Sequence, residues 1–141
     1  MGLDNGLTIE PKTAKAKKFM KKNFKHLKNT FEENTYEVLY ARKCWNIRHR
    51  FLDYGFLRDA NLDGEKRIYI EDIPTIIDKI LKYFLEEDNW REDGDSIWDW
   101  HIMLPHIANA ISNLRKFLDY LENDDEEYSE DDFFISFYDS Y

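Results

Sequence analysis

The chain contains 141 residues, carries a formal net charge of −9, and is 16% aromatic. So much large apolar surface excludes a disordered chain, and the length fits one domain with its own hydrophobic core. A single cysteine excludes an internal disulfide and favours a reducing compartment. No apolar run approaches the ~20 residues of a membrane span, and the N-terminus lacks the layout of a signal peptide. We therefore expect a cytoplasmic protein with no membrane partner.

The charges are divided unequally along the sequence. Residues 1–50 contain 12 Lys/Arg and 5 Asp/Glu, whereas residues 51–141 contain 8 Lys/Arg and 24 Asp/Glu. Such a chain can pair its own two halves, present different faces to two partners, or carry solvated charges with local pairing.

The first part of the chain predicts a strand, a helix and a second strand. Leu7–Ile9 alternates as a half-buried strand does, and residues 36–42 alternate and are rich in strand-forming residues. Residues 12–29 hold eight lysines and no acid, with apolar residues at helical spacing, which predicts a basic amphipathic helix. This helix either docks on nucleic acid or an anionic membrane, or lies against the acidic half of the same chain; we favour the latter.

The Arg42–Arg50 segment combines cationic side chains with a tryptophan and contains no acid. We read Cys44 to Tyr54 as a helix, so an anion at its start would meet free backbone N–H groups as well as cations. A tryptophan ring can stack on a base, and arginine can bind phosphate bidentately. Alternatively, the tryptophan is part of the core and the arginines pair with surface acids. The candidate ligand-binding residues are Arg42, Lys43, Trp45, Arg48, His49 and Arg50.

Two patterns that suggest metal sites are incomplete. Residues 59–64 match the start of a calcium loop, but Ile70 occupies the position of the bidentate acid. We instead predict a turn at residues 63–64, followed by a strand at residues 67–70. His101 and His106 lie five residues apart with no cysteine nearby, so they do not predict a zinc site. We predict no metal and no cofactor.

The second half predicts two helices. Residues 72–88 have an N-capping Asp72 and an apolar face that runs from Ile73 to Leu85. A longer helix is predicted from Ser96 to about residue 122, with Pro105 kinking or splitting it. Its apolar stripe is nearly heptad in spacing, so self-association into a homo-oligomer is one use, although burial against the domain's own sheet is favoured.

The C-terminal part predicts an acidic loop and a final strand. Residues 123–132 are acidic and predict a flexible loop, whereas Phe133–Tyr138 is too apolar to be left unpaired. We expect that strand to pair with Leu7–Ile9 or with the 36–42 strand. The chain is then one α+β domain spanning residues 1–141, in which a small antiparallel sheet includes both chain termini and packs against three to four helices.

Three stretches together carry a family resemblance: the start MGLDNGLTIE, the internal ARKCWNIRHRFLD and the end FFISFYDSY. They resemble small, poorly characterised proteins carried by phages and prophages of Gram-positive bacteria. The resemblance spans nearly the whole chain but brings no known activity and no catalytic residue. It implies a protein that acts in the host cytoplasm by binding, for instance by capturing a nucleotide immune signal or blocking a host defence complex.

These observations favour a binding protein over an enzyme. The sequence contains no GxSxG, P-loop, HExxH or CxxC motif, so we predict no catalytic residues. The leading expectation is a phage-encoded protein that counters host defence by sequestering an anionic nucleotide-type signal on the Arg42–Arg50 segment. The alternative is an acidic nucleic-acid mimic or a protein–protein inhibitor of a host defence complex, acting through carboxylates around residues 86–95 and 119–132.

Overall fold

A computed structural model describes residues 4–29, 32, 34–42, 66–84 and 97–140 of the chain. These residues form a four-stranded antiparallel sheet and three α-helices, which confirms the predicted α+β class. The strands are β1 (Asp4–Pro11), β2 (Tyr36–Arg42), β3 (Lys66–Ile68) and β4 (Phe133–Ser140). The helices are α1 (Ala14–Asn23), α2 (Ile73–Phe84) and α3 (Ile97–Asn123), with 3-10 turns at Lys25–Leu27, Ile70–Asp72 and Glu130–Asp132.

The two ends of the chain form the middle of the sheet. The strand order is β2-β1-β4-β3, so β1 and β4 are central neighbours. Leu7 lies opposite Phe137, and Ile9 lies opposite Ile135. The predicted pairing of the last strand with Leu7–Ile9 is therefore confirmed, and the 36–42 strand pairs with the other side of β1.

Alternate residues of the central strands build the core on one face of the sheet. Phe133, Ile135 and Phe137 of β4 are all at most 2% exposed. The Phe133 ring packs against Phe19 of α1 at 5.7 Å and against Phe117 of α3 at 5.1 Å, between centroids. Both helices therefore cover the same face. Each fully buried side chain of this size contributes about 1.5–3 kcal/mol relative to exposure.

Several predicted boundaries differ because contacts distant in sequence decide them. The strand expected at residues 67–70 ends at Ile68, since Ile70 already begins a 3-10 turn. The carboxylate of Glu130 caps that turn, accepting hydrogen bonds from the backbone N–H of Ile70 at 2.6 Å and of Glu71 at 3.1 Å. The basic helix is also shorter than the predicted residues 12–29. Thr13 caps its start, and its last residue is Asn23.

Pro105 does not split the long helix, which runs continuously as α3 from Ile97 to Asn123. Its apolar side chains Ile107, Leu114 and Phe117 are at most 3% exposed and belong to the core. Burial of this apolar face offsets the loss of the one backbone hydrogen bond that Pro105 cannot donate. The described part of the stripe is therefore buried inside the domain, which is the use that was favoured.

Gly6 in β1 lies too close to the neighbouring strand for any side chain. A Cβ atom there would overlap the backbone carbonyl oxygen of Leu39 and would lie 3.1 Å from the Tyr138 ring. Backbone atoms of a paired strand cannot move aside without breaking the ladder. We therefore expect Gly6→Ala to lower the melting temperature by several degrees, whereas Thr8→Ala on the same strand lowers it less. Thermal unfolding followed by circular dichroism measures both, and a Gly6→Ala protein as stable as Thr8→Ala contradicts this packing.

Some sequence-based predictions concern residues outside the described part of the chain. These are the helix from Cys44 to Tyr54, the turn at residues 63–64 and the acidic run at residues 86–95, and they stay predictions. Within the described ranges, no helix has both the length and the apolar character needed to cross a bilayer.

Candidate functional site

The predicted Arg42–Arg50 site begins where the described part of β2 stops. The backbone of Arg42 ends β2 opposite Asp4 of β1. The side chain of Arg42, and all of Lys43 to Arg50, lie outside the described residues. The prediction of a ligand site on this segment therefore stays a prediction, but the strand that leads into it borders a polar cavity.

A groove of about 420 Å³ lies between the 3-10 turn after α1, the edge strand β2 and helix α3. Buried Val38 and Leu39 of β2 form its apolar base, and Tyr40 beside them is 46% exposed. This volume falls within the range of ~300–1,000 Å³ that is usual for small-molecule sites. The groove is lined by His26, Leu27, Val38, Leu39, Tyr40, His106, Asn109, Ser112, Asn113 and Lys116.

Helix α3 supplies the polar wall of this groove through helical periodicity. His106, Asn109, Asn113 and Lys116 follow a spacing of three, four and three residues, which places them along one stripe of a helix. The apolar stripe beside it faces the core. Sequence reasoning weighed His106 only as a zinc ligand together with His101 and missed this polar stripe. The spacing of these polar residues along the helix was visible in the sequence. Only the fold shows that His26 lies across the groove from them.

The groove can recognise an anion that carries a ring. Lys116 supplies a positive charge, and imidazole N–H groups of His26 and His106 can donate hydrogen bonds to phosphate oxygens in either protonation state. The amides of Asn109 and Asn113 can donate and accept, which suits a base or a sugar. No acidic side chain is among the described residues that line the groove, although the chain carries a net charge of −9.

Two further cavities have a different character. One, of about 260 Å³, lies between α1 and the start of the acidic segment, where Lys15, Lys18 and Lys22 face Asp124, Asp125 and Glu126. Its opposite charges compensate each other locally. The other, of about 230 Å³, lies between α2 and α3 and is lined by apolar side chains such as Ile80 and Ile111, with Arg115 at its side. Neither offers an anion the uncompensated donors of the groove.

The acidic segment predicted as a loop at residues 123–132 contains one buried carboxylate. Asp132 is 4% exposed. It accepts hydrogen bonds from the Thr13 hydroxyl and from the Ser129 backbone N–H, both at 2.7 Å, and Lys15 Nζ lies 3.7 Å away. Burial alone would raise the pKa of Asp132, but these hydrogen bonds and the Lys15 charge outweigh it and hold the pKa below its usual value.

This carboxylate joins two parts of the fold. Thr13 also caps α1, because its hydroxyl oxygen accepts a hydrogen bond from the backbone N–H of Ala16. The backbone carbonyl of Asp132 accepts a further hydrogen bond from Lys12 at 2.7 Å. The last acid of the run is therefore structural, whereas Asp125, Glu126 and Glu127 are exposed.

Within the described ranges, no group of three or more His, Cys, Asp or Glu side chains is arranged to hold a metal ion. Comparison of the chain with known protein families, with curated proteins and with solved structures finds no match.

Proposed function

We propose that the protein binds an anionic, nucleotide-type small molecule in the groove formed by His26, Tyr40, His106 and Lys116. The observation that carries this proposal is the combination, in one cavity of about 420 Å³, of cationic and amide donors, an exposed tyrosine ring and no described acidic side chain. In a protein with a net charge of −9, long-range attraction does not bring an anion in, so local donors must supply the affinity.

We propose that one extended ligand contacts both the groove and the Arg42–Arg50 segment. Arg42 follows Tyr40 by two residues in β2, a distance of about 7 Å along an extended strand. A dinucleotide with one phosphate at Lys116 can reach toward this end of the strand. The proposal therefore retains Arg42, Lys43, Trp45, Arg48, His49 and Arg50 as candidate contacts for the same ligand.

We propose further that binding serves sequestration without catalysis and that the protein is a phage-encoded antagonist of host defence acting in the host cytoplasm. Sequestration requires only tight binding, which suits a groove built from donors and a ring. The resemblance of MGLDNGLTIE, ARKCWNIRHRFLD and FFISFYDSY to small phage proteins supports the biological setting. The competing acidic-mimic proposal has weaker support, because lysines of α1 face part of the acidic segment and Asp132 is buried.

Calorimetry with cyclic dinucleotides and ADP-ribose-type molecules tests the groove. We expect one of these ligands to bind at micromolar concentration or below, and His106→Ala with Lys116→Gln to weaken binding at least tenfold. Lys82→Gln, which removes an exposed charge from α2, is the matched control and should leave the affinity unchanged. Two outcomes contradict the proposal: no ligand of either class binds, or the double variant binds as tightly as the unmodified protein.

The same measurement separates the groove from the Arg42–Arg50 segment. If Arg42→Glu and Arg48→Glu weaken binding while the His106/Lys116 double variant does not, the ligand site is the segment and not the groove. In cells, a bacterial strain whose nucleotide-signalling defence blocks phage growth should form plaques again when it expresses the protein. The groove variant should fail to restore them if sequestration is the mechanism.

A further inference from the structure

We propose that the outer surface of α1 and of the following 3-10 turn binds the phosphate backbone of single-stranded nucleic acid. This surface is separate from the groove, except that His26 borders both. We name it the lysine surface and define it by Lys17, Lys18, Lys21, Lys22, Lys25 and Lys28.

Among the described residues, Lys18 and Lys22 line a cavity together with acids, whereas Lys17, Lys21, Lys25 and Lys28 do not. All six are exposed. In the part of the chain that the structure describes, Lys12 pairs with Glu10 and Lys15 pairs with Asp132. None of the six lysines of this surface forms an ion pair in those described residues. A helix C-terminus is stabilised by one or two nearby cations, which accounts for Lys21 and Lys22 but not for Lys17, Lys25 or Lys28.

In the described residues, contact between this helix and the acidic half involves one side of the helix, where Lys15 pairs with Asp132. Its buried side chains Ala16, Phe19 and Met20 anchor it in the core, each at most 1% exposed. Only the side that carries Lys15, Lys18 and Lys22 faces the acids at residues 124–126. Lys17, Lys21, Lys25 and Lys28 are not among the residues that line that cavity. Six like charges within twelve residues repel one another, and phosphate groups are their natural counterions.

An exposed aromatic ring indicates a single strand as the partner. Tyr120 of α3 is 40% exposed, and its ring lies 5.6 Å from that of Phe24, the residue that follows α1 between Lys22 and Lys25. Lysines that follow a backbone beside a ring on which an unpaired base can stack are the usual means of binding single strands. An anionic membrane fits less well, because interfacial helices insert apolar side chains and the large apolar side chains of α1 are buried.

Fluorescence anisotropy with a labelled oligothymidylate of about 20 nucleotides tests this surface, since this length exceeds the ~4–16 nucleotides that one OB fold binds. We expect binding that weakens as salt rises from about 50 to 200 mM. Each single-strand phosphate contact contributes about 0.7 to the slope of log affinity against log salt, so Lys17, Lys21 and Lys25 replaced by Gln should lower that slope by about 2. Lys79, Lys82 and Arg115 replaced by Gln remove the same charge elsewhere and should leave the slope unchanged.

Tyr120→Ala should weaken oligothymidylate binding about 5- to 150-fold at every salt concentration without changing the slope, whereas Tyr120→Phe should bind normally. Melting temperatures of all variants test whether they are folded.

The proposal is overturned if the oligothymidylate does not bind, if both triple variants change the slope equally, or if a duplex of the same length binds more tightly. Binding to phosphatidylserine vesicles without oligothymidylate binding overturns it in favour of a membrane surface. None of the substituted residues lines the groove, so failure here leaves the proposed nucleotide site standing.

Discussion

Phe133→Ala is expected to lower the free energy of unfolding by about 3–5 kcal/mol, the usual cost of removing a buried phenylalanine ring. Phe133 is 2% exposed, and its ring meets those of Phe19, Phe117 and Tyr128 at centroid distances of 5.1 to 5.7 Å. Because α1, α3 and the acidic segment all contribute to this cluster, the surrounding structure cannot collapse into the cavity by moving one element.

The matched control is the next residue along the same strand. Phe134 lies on the opposite face of the sheet, where its ring contacts the Lys12 ammonium and the Arg67 guanidinium, each at 5.5 Å. Phe134→Ala removes the same atoms but mainly loses cation–π contacts worth about 0.5–1 kcal/mol each at partly exposed sites. Urea unfolding followed by circular dichroism gives both free energies.

This pair also tests the register of the central strand. A slip of one residue would move every β4 side chain to the other face of the sheet. If Phe134→Ala proves as destabilising as Phe133→Ala, or more so, the pairing of Ile135 with Ile9 and Ile68 is wrong.

Deletion of residues 133–141 should leave no cooperative unfolding transition, since it removes a strand that pairs on both sides.

The sequence predicts those parts of the fold that depend on local patterns. Alternation in residues 36–42 predicts β2 with its boundaries, and the apolar face after Ile73 predicts α2. The apolar composition of Phe133–Tyr138 predicts a paired strand, because so much apolar surface cannot remain in water. In each case the signal is contained in fewer than about 15 consecutive residues, within the reach of periodicity arguments.

The sequence does not predict features that depend on residues far apart in the chain. The turn at Ile70 is capped by Glu130, which no pattern around residue 70 announces. The groove joins His26, Tyr40 and Lys116 from three separate segments, so no local motif marks it. The Arg42–Arg50 site could be predicted because its cations lie within nine residues, and it stays a prediction.

Asp132 is a single residue whose role the local sequence does not predict. Its replacement should have the second of the two largest effects on the free energy of unfolding. In the sequence it is the last of a run of acids that predicts a solvated loop. In the structure it is buried and accepts hydrogen bonds from Thr13 and Ser129. We expect Asp132→Ala to cost about 3 kcal/mol of unfolding free energy, because two part-buried donors lose their charged acceptor. Asp131→Ala, one residue earlier and exposed, should cost less than about 0.5 kcal/mol.

The contribution of Asp132 should depend on pH with a definite sign. Its pKa in the folded protein is lowered below the ordinary value of 3.8, so the ionised carboxylate is favoured by folding. The stabilisation is complete above the pKa of the unfolded chain and is lost as the pH falls through the lower pKa of the folded state. The difference in unfolding free energy between the unmodified protein and Asp132→Asn should therefore be constant from about pH 5 to pH 8. It should shrink once the pH falls below 3.8.

Urea unfolding of the unmodified protein and of Asp132→Asn at pH 7 and at successively lower pH measures this difference directly. Subtracting one curve from the other removes the titration of the other carboxylates, which both proteins share. The exposed Lys15 side chain contributes little, because solvent screens its charge, so high salt should leave most of the difference intact. A difference that grows on acidification, or that high salt abolishes at pH 7, would show that Asp132 acts as a surface charge and not as the buried acceptor that joins α1 to β4.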